Sequence, residues 1–171
     1  EIASCLVGSE MCIRDSDQTV RLLNAGLTPG EIAEAVQLPS TLAAQWASRG
    51  YYGTVKHNVR AVAQFYLGWF DAHPATLDPL PPVEAARRYV ALAGGADAAV
   101  AAARQAFDAG DYRWAAELLR HVLLADSNNA AAKDLMARSF EQMGYAAESA
   151  PWRNFYPVSY THLRAHETRG N

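Results

Sequence analysis

The sequence lacks the features that mark several large classes of protein. Its 18 Asp and Glu residues outnumber its 15 Lys and Arg residues, so it has no basic excess for nucleic acid or an anionic membrane. No apolar run approaches the roughly 20 residues that a membrane-spanning helix needs. β-Branched residues never alternate over a useful length, which argues against a β-sheet. The two cysteines, Cys5 and Cys12, lie close together near one end and indicate no disulfide framework.

Complete catalytic motifs are also missing. The sequence has no His-x-His-x-Asp-His metal signature, no P-loop, no dinucleotide fingerprint and no Ser/His/Asp grouping. His162 and His166 have the i, i+4 spacing of zinc ligands on a helix, but no Glu follows His162 and no third ligand is in sight. We therefore predict no metal site and no cofactor within this sequence.

What the sequence does have is alanine and helical periodicity. With 171 residues, 50% of them hydrophobic, it can bury one sizeable core. The apolar spacing and the capping residues predict an all-α helical bundle of about seven to nine helices. One start signal is Thr28-Pro29-Gly30-Glu31, a capping box with proline at the first helical position. The strongest helices are predicted at Val55–Phe70, Tyr112–Ala125 and Ala130–Met143.

The last third of the sequence repeats itself. Gly110 and Gly144 are 34 residues apart, each preceded by a helical apolar pattern, and this is the tetratricopeptide period. We predict a C-terminal pair of tetratricopeptide-like helix-turn-helix repeats. At least three such repeats are usually needed for stability, so we expect this pair to pack against the preceding helices or against another subunit. A free-standing protein-binding module of this kind is one alternative function.

A helix-turn-helix DNA-binding protein is a second alternative. Two short helices separated by a turn are predicted around Glu31 and over Ser40–Ser48. The second of them has no basic residue before Arg49, and only Gln45 could reach a base edge. This pattern argues against nucleic acid as a partner.

The stretch Gly50-Tyr51-Tyr52-Gly53-Thr54 predicts a tight loop that leads into a helix. In the helix, Val59, Val62, Ala63, Tyr66, Trp69 and Phe70 form an apolar stripe, whereas His57 and Arg60 lie on the opposite side. Lys56, His57 and Arg60 are thus grouped within about one turn of the positive end of a helix dipole, which is typical of an anion site. The alternative is a solvated helix start with ordinary surface charges.

Six motifs follow one another in the sequence. They are Gly50-Tyr51-Tyr52-Gly53 through His57-Asn58, Tyr66-Leu67-Gly68-Trp69-Phe70-Asp71, Pro81-Pro82, Gly94-Gly95-Ala96-Asp97, Gly110-Asp111-Tyr112-Arg113-Trp114 and Trp152-Arg153-Asn154-Phe155-Tyr156. Taken in this order, they make the sequence resemble the dimerisation region of the metallo-β-lactamase-type alkyl sulfatases, the SDS hydrolases. The resemblance runs from about Asp17 to Tyr156.

The resemblance implies a function. In that family the helical region joins two subunits and sends one histidine into the active site, and by motif this residue is His57. The resemblance implies that His57 contacts the sulfate group of an alkyl sulfate ester, as a proton donor to the leaving oxygen. It also implies a homodimer, and two zinc ions bound in an upstream catalytic domain that this sequence does not contain. The segment alone is expected to be inactive. Lys56 and Arg60 are further substrate-binding candidates on electrostatic grounds alone.

Both ends of the sequence differ from the middle. Residues 6–16 and 158–168 resemble translated sequencing-adapter tails and have neither the alanine content nor the periodicity of the rest. We therefore predict three segments: a non-native tail over 1–16, the dimerisation domain over 17–156 and a second non-native tail over 157–171. The tails are expected to make few contacts with the core. The sequence indicates no cellular compartment.

Overall fold

The structure is a computed structural model that describes the backbone of residues 2–71 and 73–165, and the side chains of residues 13–71, 73–156, 158 and 159. Every regular element in these ranges is helical, which confirms the all-α prediction. The α-helices are α1 (Ile2–Asn24), α2 (Pro29–Ala35), α3 (Ser40–Ala43), α4 (Val55–Leu67), α5 (Pro82–Leu92), α6 (Ala96–Asp108), α7 (Tyr112–Ala125), α8 (Ala130–Ala146) and α9 (Ala150–Ala165), with short 3-10 helices at Trp46–Ser48 and Pro74–Thr76. Within the described ranges, no helix has both the length and the apolar character of a membrane span.

The chain divides into two compact units, of which the first is Glu1–Pro79. In this unit α1 and α2 both pack against α4. Ile32, Ala33, Val36 and Val59 are buried together at this junction, with Leu22, Leu23, Leu27 and Val55 packed around them. Burying such aliphatic side chains stabilises the junction by roughly 1.5–3 kcal/mol each. The core of the first unit therefore fixes the N-terminal half of α4.

The start of α2 has the predicted capping box. The backbone N–H of Thr28 donates to Glu31 Oε2 at 2.8 Å, and the backbone N–H of Glu31 donates to Thr28 Oγ1 at 3.4 Å. The Thr28 hydroxyl also donates to Glu31 Oε2 at 2.7 Å, and this hydrogen bond, together with the one from the Thr28 backbone, lowers the pKa of Glu31 below its usual value. Because two orphan amides of the helix end are satisfied in this way, α2 begins at the predicted residue.

The C-terminal half of α4 differs from the prediction. The helix ends at Leu67 rather than Phe70, because Gly68 takes a positive φ of 70° that breaks the helical path. Val59 and Ala63 are buried as predicted, but Tyr66 and Trp69 keep 59% and 73% of their surface exposed. The predicted burial is therefore wrong for Tyr66 and Trp69, whereas Phe70, the last residue of the predicted stripe, is half-buried.

The helix predicted over Ser40–Ser48 is also wrong as a single element. Gln45 has extended backbone angles, which separate the four-residue α3 from the 3-10 helix Trp46–Ser48. The spacing of Leu42 and Trp46 predicts that Trp46 lies on the core face of this helix, but the side chain is 76% exposed. A helix as short as α3 cannot serve as a recognition helix in a major groove, so the fold adds no support to the DNA-binding alternative.

The second unit is Leu80–Asn171. Its helix α7 packs against α5, α6 and α8, and α8 packs against α9. The core consists of buried Ala99, Ala103, Leu119, Val122, Ala132, Leu135 and Met136. Alanines at these positions let the helix axes approach closely, so the alanine-rich composition suits this packing. The bounds predicted for α7 are confirmed, and α8 extends three residues beyond the predicted end at Met143.

The predicted tetratricopeptide-like repeat is not confirmed. Gly110 lies in the turn between α6 and α7 with a φ of 82°. Gly144, its predicted counterpart, is instead buried inside α8, and the chain leaves the helix only after Ala146. Gly110 therefore lies in a turn and Gly144 lies within a helix, although the two glycines have the tetratricopeptide spacing. The repeat pair stays a prediction.

The predicted boundary at Asp17 lies inside α1, which is continuous from Ile2 to Asn24. On the N-terminal side of that boundary, Arg14 Nη1 donates to the carbonyl of Gln37 at 3.1 Å, and Asp15 is buried. The expectation of few contacts is thus wrong for these two residues. The side chains of Cys12 and Leu163 lie outside the described residues, and the three-segment division stays a prediction.

Candidate functional site

The N-terminus of α4 is organised by Thr54. Its Oγ1 accepts a hydrogen bond from the backbone N–H of His57 at 3.1 Å. Its carbonyl accepts from the backbone N–H groups of His57 at 3.0 Å and Asn58 at 2.9 Å. The cap therefore fixes the backbone of His57 within the first turn of the helix. The backbone N–H of His57 already donates to Thr54, so an anion bound here would contact side chains of the first turn rather than this N–H.

The three predicted site residues do not share one environment. His57 and Arg60 are both exposed, and their i, i+3 spacing places them as neighbours on one face of α4. Lys56 is half-buried, and its Nζ forms an ion pair with Glu34 of α2. The structure thus brings His57 and Arg60 together, whereas Lys56 is joined to another helix. This ion pair neutralises part of the positive charge that the sequence assigned to the helix start.

Asn58 connects the site to the interior of the first unit. Its Nδ2 donates to Asp15 Oδ2 at 3.1 Å, and a Cβ added to Gly53 would lie 3.3 Å from Asn58 Oδ1. Asp15 is buried, and its second carboxylate oxygen has no hydrogen-bond partner among the described residues. Burial raises the pKa of Asp15, an effect that the Asn58 hydrogen bond and the nearby Arg14 charge partly oppose.

Sequence reasoning missed Asp15, because it lies in the segment predicted to be a non-native tail. Helical periodicity gives no signal for a buried Asp15, because a charged residue is normally assigned to the exposed face of a helix. The only hint was Asn58, a polar residue between the exposed His57 and the buried Val59. A polar side chain at such a place needs a hydrogen-bond partner.

Aromatic side chains lie just before the helix. The ring centroids of Trp46 and Tyr51 are 5.7 Å apart, and the Arg49 guanidinium lies 5.4 Å from the Tyr51 ring centroid. Tyr52 is 82% exposed and precedes the cap residue by two positions. Exposed aromatic side chains thus lie within a few residues of His57 in the chain.

The second unit contains a separate cavity of about 310 Å³. It lies between the start of α7, the end of α8 and the first half of α9, and its lining includes Tyr112, Met143, Trp152 and Tyr156. Tyr156 also contacts Phe140, with ring centroids 6.0 Å apart, so this aromatic residue packs back onto α8.

No group of three or more His, Cys, Asp and Glu side chains that could hold a metal ion occurs in the described ranges. His57 and Asp15 in particular do not form such a group with a third ligand. The described residues therefore do not fit the zinc site that the resemblance implies for the wider enzyme family.

Comparison with known proteins identifies the family. Residues 28–166 match the family described as alkyl sulfatase dimerisation, which covers α2 to α9 and includes His57. The chain belongs to the alkyl sulfatase dimerisation family. This agrees with the resemblance found in the motifs around His57.

Relatives of this dimerisation region are alkylsulfatases. The chain is 52% identical over 149 residues to a linear primary-alkylsulfatase of a Pseudomonas species, a match that covers 87% of this chain and 22% of the relative. It is 51% identical over 148 residues to an alkyl/aryl-sulfatase of Saccharomyces cerevisiae, covering 86% of this chain and 23% of the relative. The chain thus spans about a quarter of the length of these relatives.

Solved structures give the same result for the fold. The structure of a stereoselective inverting secondary alkylsulfatase from Pseudomonas matches with a TM-score of 0.87 and 48% sequence identity. That match covers 90% of this chain and 24% of the other. The dimerisation region therefore has the same helical arrangement in this chain and in that enzyme.

Proposed function

We propose that this chain is the part of an alkylsulfatase through which two subunits associate, and that it supplies His57 to an active site in a catalytic domain outside this chain. The observation that carries the proposal is the family match over residues 28–166 together with the exposed His57 on the capped first turn of α4. The substrates are sulfate esters of alkyl chains, as the names of the relatives suggest. The products are an alcohol and sulfate.

His57 contacts the sulfate group in this proposal. An imidazole at this point can donate a hydrogen bond to a sulfate oxygen, and its charged form adds electrostatic attraction to the anion. The helix dipole favours negative charge at the same end of α4. Arg60, one turn along the same face, supplements this field, whereas Lys56 acts through its ion pair with Glu34 to fix the start of α4 against α2.

The chemical role of His57 depends on which bond of the ester breaks. If the sulfur–oxygen bond breaks, the leaving group is an alkoxide, a strong base that needs a proton, and His57 acts as its general acid. If the carbon–oxygen bond breaks, the leaving group is sulfate, a weak base, and a hydrogen bond from His57 is enough. One matching structure is of an inverting enzyme, and inversion at carbon requires the second course. The position of ¹⁸O from labelled water distinguishes them, since label enters sulfate in the first case and the alcohol in the second.

The metal belongs to the catalytic domain. The resemblance implies two zinc ions there, which supply activation of water and binding of the ester when bound. Residues of that domain, and not of the described part of this chain, would hold them. What this chain contributes is an exposed imidazole on a helix whose backbone is fixed by Thr54 and by the core around Val59.

The partner in solution is a second copy of the chain. The family description names dimerisation, and large apolar side chains are exposed on both units, among them Phe65 at 82%, Trp69 at 73% and Leu92 at 84%. Exposed apolar surface of this extent is typical of proteins that bury it against a partner. The free-standing binding-module and DNA-binding alternatives have no comparable support.

The test uses a graft. Residues 2–165, which keep α1 to α9 whole and retain the Asp15–Asn58 hydrogen bond, replace the matching region of the Pseudomonas linear primary-alkylsulfatase, and turnover of dodecyl sulfate is measured for the unmodified graft and for single variants. We expect His57→Ala to lower kcat by roughly 10²–10⁴-fold if it is the general acid. Arg60→Ala should raise KM, and Lys56→Ala should change turnover less than either. Bound zinc and the mass of the oligomer should stay unchanged in His57→Ala.

Three outcomes contradict the proposal. The first is a His57→Ala graft with unchanged turnover, and the second is a folded unmodified graft without turnover. The third is a His57→Ala variant that unfolds, which would make His57 a structural residue. Gln64→Ala serves as the control, because Gln64 is exposed one turn beyond Arg60 on the same face and should have no effect.

A further inference from the structure

Three exposed aromatic side chains precede His57 in the chain, and the sulfate contact proposed for His57 does not use them. We call Trp46, Tyr51 and Tyr52 the aromatic loop. Tyr52 is 82% exposed, Trp46 is 76% exposed and Tyr51 is 39% exposed. Trp46 and Tyr51 contact each other with ring centroids 5.7 Å apart, so the loop presents one broad apolar surface.

The loop is held close to the start of α4 by its glycines. A Cβ at Gly50 would lie 3.2 Å from the carbonyl oxygen of Gly53, and a Cβ at Gly53 would lie 3.3 Å from Asn58 Oδ1. Both distances are tighter than ordinary Cβ contacts, so the two glycines permit a close return of the chain onto the first turn of α4. Tyr52 lies between them, with its Cα no more than about 8 Å from the Cα of Thr54.

We infer that the aromatic loop, with Tyr52 as its principal residue, contacts the hydrocarbon part of the sulfate ester while His57 contacts the sulfate. This inference rests on the proposed function and assigns a second role, substrate selection, to the same end of the first unit. The ligand class is an amphiphile with one anionic head and one aliphatic chain.

The chemistry of the substrate requires such a surface. The first carbon of the alkyl chain is bonded to the ester oxygen, so it lies within a few ångströms of any residue that contacts the sulfate. An aliphatic chain gains by leaving water for an apolar surface, in proportion to the area that it buries. Tyrosine offers a large and rigid surface of this kind with little loss of side-chain freedom. The aromatic loop offers such a surface, because Tyr52 precedes the cap of α4 by two residues and Gly53 lies close to Asn58 in the first turn of that helix.

The experiment compares esters that share a head group and differ in chain length. In the graft described above, kcat and KM are measured for hexyl, decyl and dodecyl sulfate with Tyr52→Ala, Tyr52→Phe and the unmodified segment. Tyr145→Ala is the matched control, since Tyr145 is a 76% exposed tyrosine on α8. We expect Tyr52→Ala to raise KM for dodecyl sulfate roughly tenfold with little change in kcat, the effect of losing about one methylene contact. The rise should be smaller for hexyl sulfate, and Tyr52→Phe and Tyr145→Ala should behave as the unmodified graft.

The outcomes separate this inference from the proposed function. If Tyr52→Ala leaves KM unchanged for every ester while His57→Ala loses turnover, the inference is wrong and the proposed function stands. A Tyr52→Ala graft that dissociates in light scattering would assign the loop to a subunit interface and overturn the inference. An equal rise of KM for hexyl, decyl and dodecyl sulfate would also contradict the inference, because the effect of losing a contact with the alkyl group must depend on its length. If neither His57→Ala nor Tyr52→Ala has any effect, both proposals are wrong.

Discussion

The helix cap at Thr54 gives the clearest link between local structure and the proposed chemistry. Thr54→Ala removes the side-chain hydrogen bond to the His57 amide, now 3.1 Å long, and leaves the backbone bonds from Thr54 in place. The loss of a threonine cap costs about 1 kcal/mol. In a chain of this size that lowers Tm by about 2–4 °C. The same energy corresponds to a factor of about five in the ratio of molecules with an ordered first turn to molecules with a disordered one, so the ordered fraction falls by at most that factor.

Turnover should therefore fall by no more than about fivefold in a Thr54→Ala graft, far less than expected for His57→Ala. The control is Asn129→Ala, which removes an equivalent cap: Asn129 Oδ1 accepts from the backbone N–H of Ala132 at 2.9 Å at the start of α8. Thermal unfolding followed by circular dichroism should show a similar loss for both variants. Only Thr54→Ala should reduce turnover, because only that cap orders the turn with His57.

Two results would refute this reasoning. If Thr54→Ala lowers turnover as much as His57→Ala does, Thr54 does more than order the first turn. If Asn129→Ala lowers turnover as much as Thr54→Ala, the effect is one of overall stability. Thr54→Ser, which keeps the hydroxyl, should retain most of the turnover that the Thr54→Ala graft loses.

Two further predictions concern stability. Leu119→Ala, at a wholly buried position of α7, should lower the unfolding free energy by about 3–5 kcal/mol in urea denaturation. Arg120→Ala, at the exposed position next to it, should lower it by less than about 0.5 kcal/mol, and equal losses would contradict the core assignment. Burial raises the pKa of Asp15, so the folded protein keeps the Asp15 carboxyl protonated to a higher pH than the unfolded chain does. The unfolding free energy therefore falls as pH rises from near 3.8, the pKa in the unfolded chain, through the higher pKa of the folded state. Asp15→Asn removes this dependence and should raise the unfolding free energy at pH 7 by about 1 kcal/mol, while an unchanged pH profile would show that Asp15 is not buried in solution.

Helices that rest on local signals could be predicted from the sequence. The capping box at Thr28 and the cap at Thr54 act within one turn, and the start of each helix is found where these residues predict it. The bounds of α7 are also confirmed, because its apolar spacing is regular from Tyr112 to Ala125. Such signals lie within a few residues of the feature that they determine.

Features that depend on distant contacts could not be predicted in this way. Whether Tyr66 and Trp69 are buried depends on what covers the C-terminal half of α4, and the apolar stripe alone cannot tell. The partners of Lys56 and Asn58 are Glu34 and Asp15, which are 22 and 43 residues away in the sequence. No periodicity of one helix indicates a partner on another.

The candidate site shows both cases. His57 was identified by motif, and its exposure agrees with its predicted position opposite the apolar stripe. The charge around it was overestimated, since Lys56 is joined to Glu34 by an ion pair. The pattern of residues in one helix gives the face on which a side chain lies, but not the charges brought there by other helices.

The central claim is that this chain associates with itself, and its mass in solution tests that claim most directly. Size-exclusion chromatography with light scattering at tens of micromolar should give twice the 18.6 kDa of one chain. Obligate interfaces usually bury upwards of about 2,000 Å², so the mass should not change on tenfold dilution. A single species of 18.6 kDa at every concentration would contradict the account.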